Sequence, residues 1–304
     1  MKIAEFKSFS MFGWHRISYA EHGPEDAENV ALCIHGLTGN GRGFDPIASQ
    51  LAERGWRVIC PDLTGRGKSD LAPDPKMYGF RHYMTDIAGL LAYLQVWKVH
   101  WIGTSMGGLL GMRMAALPDS PVQSLVLNDI GPMAHPHALN EIVSYLQAGS
   151  AYDYAAEYLA ALKESAKGRD DLTEADHVRK AEHGLWPILN EAGEVSGYRP
   201  AFDPAIAQRF EQEPLGELDL WTEFDRIQAR MLVLRGAMSD LLPREVVDQM
   251  TRRAKAPITA IEVPGAGHCP SLSTPGQMKL VCDWLETGQI HLPLRIEQPE
   301  EQAA

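Results

Sequence analysis

The chain has 304 residues, of which 45% are hydrophobic and 22% are charged, so it can form a large globular domain with a buried core. Its formal net charge is −12, whereas nucleic-acid and anionic-membrane surfaces require a basic footprint. We therefore expect no nucleic-acid and no membrane partner. The expected partner is a neutral or apolar small molecule.

The N-terminal residues do not resemble an export signal. An acidic residue, Glu5, lies where a signal peptide would have its apolar core, and no segment approaches the length of a membrane span. The cysteines are widely spaced and form no Cys-x-x-Cys pair, and His135 and His137 lack a third metal ligand. These features predict a cytoplasmic protein with reduced cysteines and no metal site.

The first part of the chain alternates between strand and helix patterns. A strand pattern covers residues 14–20, and the apolar run Val30–Ile34 predicts a strand buried on both faces of a parallel sheet. The turn His35-Gly36-Leu37-Thr38 follows it. The next strand, Trp56–Cys60, leads into a Gly-x-Gly loop at residues 62–69, which lacks the third glycine of a dinucleotide site. We interpret that loop as a structural turn and expect no cofactor.

A Gly-x-Ser-x-Gly motif joins the strand pattern that begins at Val99 to a helix pattern that begins at Met106. Gly103 and Gly107 have no Cβ, which allows the strand and the helix to approach closely while Ser105 lies at the apex of a strained turn. With 27 glycines in the chain, the motif alone is weak evidence. Its position between a strand and a helix predicts that Ser105 is a nucleophile.

The alternation stops over residues 133–221. This segment has amphipathic helical stretches and no apolar strand run, which predicts an inserted helical cap over the site. The cap pattern contains several large aromatic residues, but we assign none of them to a substrate pocket: Tyr145, Tyr152, Tyr154, Tyr158, Trp186, Tyr198 and Trp221.

Strand and helix patterns then resume. The strand Arg230–Leu234 is followed by Asp240, and the last strand, Ile258–Val263, is followed by His268 and a final helix. The chain is therefore divided into a core in two parts, residues 1–132 and 222–287, the cap at 133–221, and a loosely ordered tail at 288–304.

Ser105, Asp240 and His268 provide the groups that serine catalysis needs. An imidazole takes the proton of the serine hydroxyl, and a carboxylate fixes the tautomer of that imidazole. Asp240 is the preferred acid because a Gly-x-x-x-Asp-x-x-Pro pattern follows the penultimate strand, although Asp240 is also placed to cap the helix near Pro243. Asp129, at the end of the sixth strand, is the alternative acid.

Together these loops make residues 14–286 similar to the α/β-hydrolase superfamily, and to its serine carboxylesterase-like branch with a helical cap. The resemblance implies an α/β fold with a mostly parallel eight-stranded sheet and helices on both faces. It also implies an oxyanion hole formed by the backbone N–H groups of Leu37 and Met106. Some members of the superfamily have their acid at the position of Asp129.

A serine nucleophile points away from the haloalkane dehalogenases and epoxide hydrolases of the superfamily, which use aspartate. We therefore expect a hydrolase of small carboxylic esters with short to medium acyl chains, acting through an acyl-enzyme. One alternative is carbon–carbon bond hydrolysis of ring-cleavage products, for which no cationic cap residue can be assigned from the sequence. Another is a non-catalytic small-molecule receptor on the same fold. The natural substrate and the oligomeric state stay open.

Overall fold

The structure is a computed structural model that describes residues 1–11, 13–134, 144, 146–147, 149–212 and 218–290. Its centre is an eight-stranded sheet. The strands of that sheet, numbered along the chain together with four short strands given below, are β1 (Lys2–Ser10), β2 (Gly13–His22), β3 (Val30–Ile34), β4 (Arg57–Pro61), β5 (Val99–Thr104), β6 (Val122–Asn128), β11 (Arg230–Gly236) and β12 (Ile258–Val263).

The order of strands across the sheet is β1-β2-β4-β3-β5-β6-β11-β12. The pairs β1/β2 and β2/β4 are antiparallel and all the others are parallel, which confirms the predicted fold class. The sequence analysis missed β1. Only Phe6 and Ser8 of that strand are buried, so it has no apolar run to reveal it.

Helices cover both faces of the sheet. Alternate residues of each strand point to opposite sides, so both faces carry side chains for the helices to bury. On one face, α1 (Asp45–Glu53) packs with the C-terminal helix, α9 (Pro275–Thr287). On the other face lie α2 (Phe80–Tyr93), α3 (Met106–Ala115) and α8 (Arg244–Arg253). The four cysteines are free thiols, and Cys269 alone among them is not fully buried.

The insertion, residues 133–221, contains more than helices. Its described helices are α4 (Ala155–Ser165), α5 (Glu174–His183) and α6 (Ala205–Gln212), and α7 (Trp221–Phe224) begins at its end. Between α5 and α6, the strands β8 (Leu185–Leu189) and β9 (Val195–Pro200) form an antiparallel hairpin. The expectation of a helical insertion without strands is therefore wrong. The sequence did not reveal the hairpin because Pro187 and Gly197 interrupt its strand pattern.

A short antiparallel ladder between β7 (Met133–Ala134) and β10 (Leu218–Asp219) lies where the insertion leaves and rejoins the core.

Several earlier expectations concern residues outside the described ones: the pair His135 and His137, the aromatic Tyr145, and most of the tail, residues 291–304. None of the helices in the described part of the chain is long and apolar enough to cross a bilayer.

Candidate active site

Ser105 lies on a sharp turn between β5 and α3, as the sequence predicts. Its backbone angles, φ 50° and ψ −115°, are unfavourable for a side-chain-bearing residue. A Cβ on Gly103 would lie 2.4 Å from the carbonyl oxygen of Gly107, and a Cβ on Gly107 would lie 2.0 Å from that of Ile34. Only glycine therefore allows β5, α3 and β3 to approach this closely, and this packing holds Ser105 at the apex of the turn.

Ser105, His268 and Asp129 form a continuous chain of contacts. Nε2 of His268 lies 3.2 Å from Oγ of Ser105, and Nδ1 of the same ring lies 2.7 Å from Oδ2 of Asp129. The three residues follow β5, β12 and β6, so the carboxyl ends of the strands bring them together. The imidazole is 27% exposed, whereas the Asp129 carboxylate is fully buried.

Both oxygens of the Asp129 carboxylate accept hydrogen bonds from the loops around it. Oδ1 accepts a hydrogen bond of 2.8 Å from the N–H of Gly236, and Oδ2 accepts bonds from the hydroxyl of Ser239 at 2.6 Å and from the N–H of Cys269 at 3.2 Å. These donors compensate the cost of burying the carboxylate. They also fix the direction in which it faces His268.

The preferred assignment of Asp240 as the acid is wrong. Its side chain is exposed and makes no hydrogen bond or ion pair with another described residue. It does not cap α8 either, since the N-cap residue of that helix is Pro243. Because β6 and β11 are adjacent parallel strands, the loops after them meet, and Ser239 of the second loop turns inward to Asp129. The alternative acid, Asp129, has the required geometry.

The surroundings of His268 act on its pKa in opposite directions. Burial lowers the pKa, but the contacts with Cys269 and the hydrogen bond and charge of Asp129 together raise it above the ordinary 6.5. Sγ of Cys269 lies 3.1 Å from Nε2, the ring nitrogen that also faces Ser105. The thiol is therefore placed to influence the same nitrogen that would accept the serine proton.

The loop that follows β3 is held against Ser105 by His35. Nε2 of His35 accepts a hydrogen bond of 3.0 Å from the N–H of Leu63, so its proton is on Nδ1, which donates to the carbonyl oxygen of Gly36 at 2.7 Å. Burial lowers the pKa of His35 to about 3, which keeps the ring neutral. A Cβ on Gly36 would lie only 3.5 Å from Cβ of Ser105, so the loop lies directly beside the serine.

Arg66 supports the same loop from beneath. It has no exposed surface, and its Nε donates a hydrogen bond of 2.9 Å to the carbonyl oxygen of Leu37. Its Nη1 donates to the carbonyl oxygen of Thr64 at 2.7 Å and to the hydroxyl of Tyr83. The sequence analysis correctly interpreted this segment as a turn but missed the buried arginine, whose only signal was its position between two glycines.

Two backbone N–H groups were predicted to form an oxyanion hole. Met106 is the first residue of α3, so its N–H has no acceptor within the helix. Leu37 lies in the loop that His35 and Arg66 hold beside Ser105. Their assignment as oxyanion donors stays a proposal.

Arg169 and Asp171 join the insertion to the loop of His268. Arg169 contacts Asp171 through two hydrogen bonds, of 2.9 and 3.0 Å, and donates to the carbonyl oxygens of His268 at 3.0 Å and Cys269 at 2.9 Å. Asp171 accepts a hydrogen bond of 2.8 Å from the N–H of Ser271. The sequence analysis assigned no role to this polar segment. Its contacts instead position the loop that presents the imidazole.

A cavity of about 400 Å³ lies between this loop and the insertion. Its lining includes Thr104 and Cys269, the sequence neighbours of Ser105 and His268, and Gly36 of the loop after β3. Residues of helices α4 and α5 also line it. The cavity is large enough for a small ester.

Known proteins resemble the chain over most of its length. A 3-hydroxybutyrate-oligomer hydrolase of Cupriavidus necator is 40% identical over 286 residues, which cover 92% of this chain and 96% of that protein. A 2-(acetamidomethylene)succinate hydrolase of Mesorhizobium japonicum is 30% identical over 241 residues, 79% of this chain and 81% of that protein.

The fold agrees with solved structures. A hydrolase structure from Rickettsia typhi superimposes with a TM-score of 0.84 at 28% identity, covering 94% of this chain and 99% of the other. An α/β-hydrolase structure from Novosphingobium aromaticivorans gives 0.80 at 32% identity, covering 93% and 98%. A protein-family model that describes the α/β-hydrolase fold matches residues 29–275 of the sequence. The chain therefore belongs to the α/β-hydrolase family.

Proposed function

We propose that the protein is a serine hydrolase that cleaves carboxylic esters through an acyl-enzyme. The observation that carries this proposal is the chain of contacts from Ser105 through His268 to Asp129. An imidazole that contacts a serine hydroxyl through one nitrogen and a buried carboxylate through the other is the arrangement that activates serine as a nucleophile.

Each step of the reaction has a residue to perform it. Oγ of Ser105 attacks the ester carbonyl while Nε2 of His268 takes its proton, and Asp129 stabilises the imidazolium. The N–H groups of Leu37 and Met106 donate to the oxyanion. His268 then protonates the departing alcohol, and afterwards it activates a water molecule that releases the acyl group as an acid.

As substrates we propose short oligoesters of hydroxy acids of the 3-hydroxybutyrate type. The similarity to the Cupriavidus necator hydrolase supports this choice, because it extends over nearly the whole of both chains. A four-carbon acyl unit also agrees with the expected preference for short to medium acyl chains. The cavity of about 400 Å³ has apolar walls at Phe44, Leu162 and Leu272 that suit such units.

A second candidate is hydrolysis of a carbon–carbon bond in a vinylogous diketone acid. That reaction needs a cationic group for the substrate carboxylate, and the insertion places Arg179 and Lys180 at the cavity. A non-catalytic receptor is disfavoured, because the contacts from Ser105 through His268 to Asp129 are complete.

The test is a substrate panel on the purified protein: the dimer and trimer of 3-hydroxybutyrate, p-nitrophenyl esters of graded chain length, and a ring-cleavage dienoate. We expect turnover of the oligoesters and short p-nitrophenyl esters, and a fall of several orders of magnitude in Ser105→Ala. A fluorophosphonate should label Ser105 in the wild-type protein. Turnover of the dienoate alone would favour the second candidate, and an undiminished rate in Ser105→Ala would disprove the assigned nucleophile.

A further inference from the structure

The cavity beside Ser105 is cationic, although the chain as a whole has a net charge of −12. Arg42, Arg179 and Lys180 line it, and none of its lining residues in the described part of the chain is Asp or Glu. In a concave site with low-dielectric walls, such a distribution creates a local positive potential. The cavity therefore favours an anionic ligand.

The two arginines are each bound to a carboxylate of their own. Nε of Arg42 donates to Asp45 at 2.9 Å, and Arg179 forms an ion pair with Asp176. Their charges are thus largely balanced before any ligand enters.

Lys180 differs from them. It makes no hydrogen bond or ion pair with any residue that the structure describes. The other two lysines of the insertion both do, since Lys163 contacts Glu174 at 2.6 Å and Lys167 contacts Glu164 at 2.7 Å. Lys180 is therefore the cation of the cavity with a free hydrogen-bonding head.

The surroundings of Lys180 disfavour its charge. Lys180 is exposed and lines the cavity. Desolvation lowers its pKa and the charge of Arg169 lowers it further, and the opposing effects of Cys269, Asp176 and Asp171 do not outweigh them. A ligand carboxylate next to the ammonium group would favour the charged form.

The rest of the lining limits what that ligand can be. Apolar and aromatic side chains, Phe44, Tyr158, Leu162, Phe202 and Leu272, make up much of the wall. One exposed ammonium group beside such a wall suits a ligand with an apolar body and a single carboxylate, in preference to a multiply charged phosphate. The lining also includes Thr104 and Cys269, the sequence neighbours of Ser105 and His268.

We propose that Lys180 binds the terminal carboxylate of the substrate, and that the enzyme thereby selects linear oligoesters whose leaving group is a free hydroxy acid. This inference rests on the proposed function and names its substrate class more narrowly. In a linear hydroxyalkanoate oligomer the carboxylate is at the end that becomes the departing alcohol. The cavity is therefore the site of the leaving group, and Ser105 retains the acyl part.

The experiment compares the 3-hydroxybutyrate dimer as its free acid with the same dimer bearing a terminal primary amide. The ratio of kcat/KM for the acid to kcat/KM for the amide is measured in the wild type, Lys180→Met, Lys180→Arg and the matched control Lys167→Met. We expect the ratio to fall by roughly 10- to 100-fold in Lys180→Met, as for the loss of one charge-assisted hydrogen bond, mainly through KM. Lys180→Arg should retain most of the ratio, and Lys167→Met all of it.

An unchanged ratio in Lys180→Met, with both dimers still hydrolysed, would overturn this inference and leave the proposed function standing. A wild type that hydrolyses the amide as well as the acid would do the same. If the wild type hydrolyses neither dimer and no p-nitrophenyl ester, the proposed function and this inference both fail.

Discussion

The carbonyl oxygen of Leu37 accepts a hydrogen bond of 2.9 Å from Nε of Arg66, a guanidinium group with no exposed surface. A buried cation is costly unless its donors are used. Here Nε and Nη1 donate to carbonyl oxygens and a tyrosine hydroxyl and the guanidinium lies over the rings of Tyr78 and Tyr83, whereas Nη2 has no hydrogen-bond partner in the described part of the chain. The loop beside Ser105 is therefore supported by a side chain of the adjacent loop.

Arg66→Met should lower kcat for p-nitrophenyl butyrate by about tenfold or more with a smaller change in KM. Losing a whole oxyanion donor costs about 10²- to 10³-fold, and here the Leu37 N–H is only displaced. Arg66→Lys should recover part of kcat. Arg244→Met, an exposed arginine paired with Glu262, is the control. A wild-type kcat in Arg66→Met would show that the loop holds its position without this bond.

Asp129→Asn should lower kcat/KM by about 10⁴-fold, because the amide stabilises the wrong tautomer of His268 and cannot balance an imidazolium. Asp240→Asn should stay within about twofold of the wild type, as expected for an exposed carboxylate that makes no hydrogen bond with another described residue. Ester kinetics on both variants, with circular dichroism to verify folding, make the comparison. The reverse ranking would return the role of acid to Asp240.

Arg169→Met should reduce both stability and kcat, because it releases the loop of His268 and leaves Asp171 buried without its cation. The side chain of Asp171 is only 2% exposed. The loss should reach about 1–3 kcal/mol in urea unfolding, and adding Asp171→Asn should recover part of it. Lys163→Met, which removes an exposed ion pair of the same insertion, should change stability by less than about 1 kcal/mol. Equal losses in the two single variants would contradict a special role for Arg169.

The acid limb of the kcat/KM profile should lie above pH 6.5, since the pKa of His268 is raised from that value. Only the neutral imidazole can accept the serine proton, so activity is present above this pKa and is lost as the pH falls through it. Cys269→Ala removes one of the contacts that raise the pKa of His268 and should move the limb to lower pH. The profile of each variant, measured with a soluble ester, decides this. A limb that stays in place or moves upward in Cys269→Ala would contradict the influence of the thiol.

Much of the core could be predicted from local patterns. The strand Val30–Ile34 and the turn at Ser105 agree with the sequence analysis because a continuous apolar run and a Gly-x-Ser-x-Gly context are local signals. The strand β1 and the β8/β9 hairpin could not be predicted in this way. Charged residues occupy much of β1, and the pairing of the hairpin across Pro187 depends on tertiary contacts.

The acid was the part of the site that the sequence could not decide. Asp129 and Asp240 both follow a strand of the sheet and come from loops that meet, so chain order does not distinguish them. What distinguishes them is backbone direction: Asp129 has a left-handed φ of 57° that turns its side chain inward, while Ser239 takes the inward position in the other loop. Arg66 and Arg169 were missed because the partners that tie them to the loops of the site are backbone carbonyls, which leave no mark in a sequence.

The neutral state of His35 has a consequence for any titration of this enzyme. Since its pKa is about 3 and both ring nitrogens are engaged, the loop next to Ser105 keeps the same charge and the same hydrogen bonds at every pH used in an ordinary assay. A loss of activity at a pH well above 3 therefore cannot originate in the protonation of His35. A change in the acid limb reports on the other histidine of the site, His268.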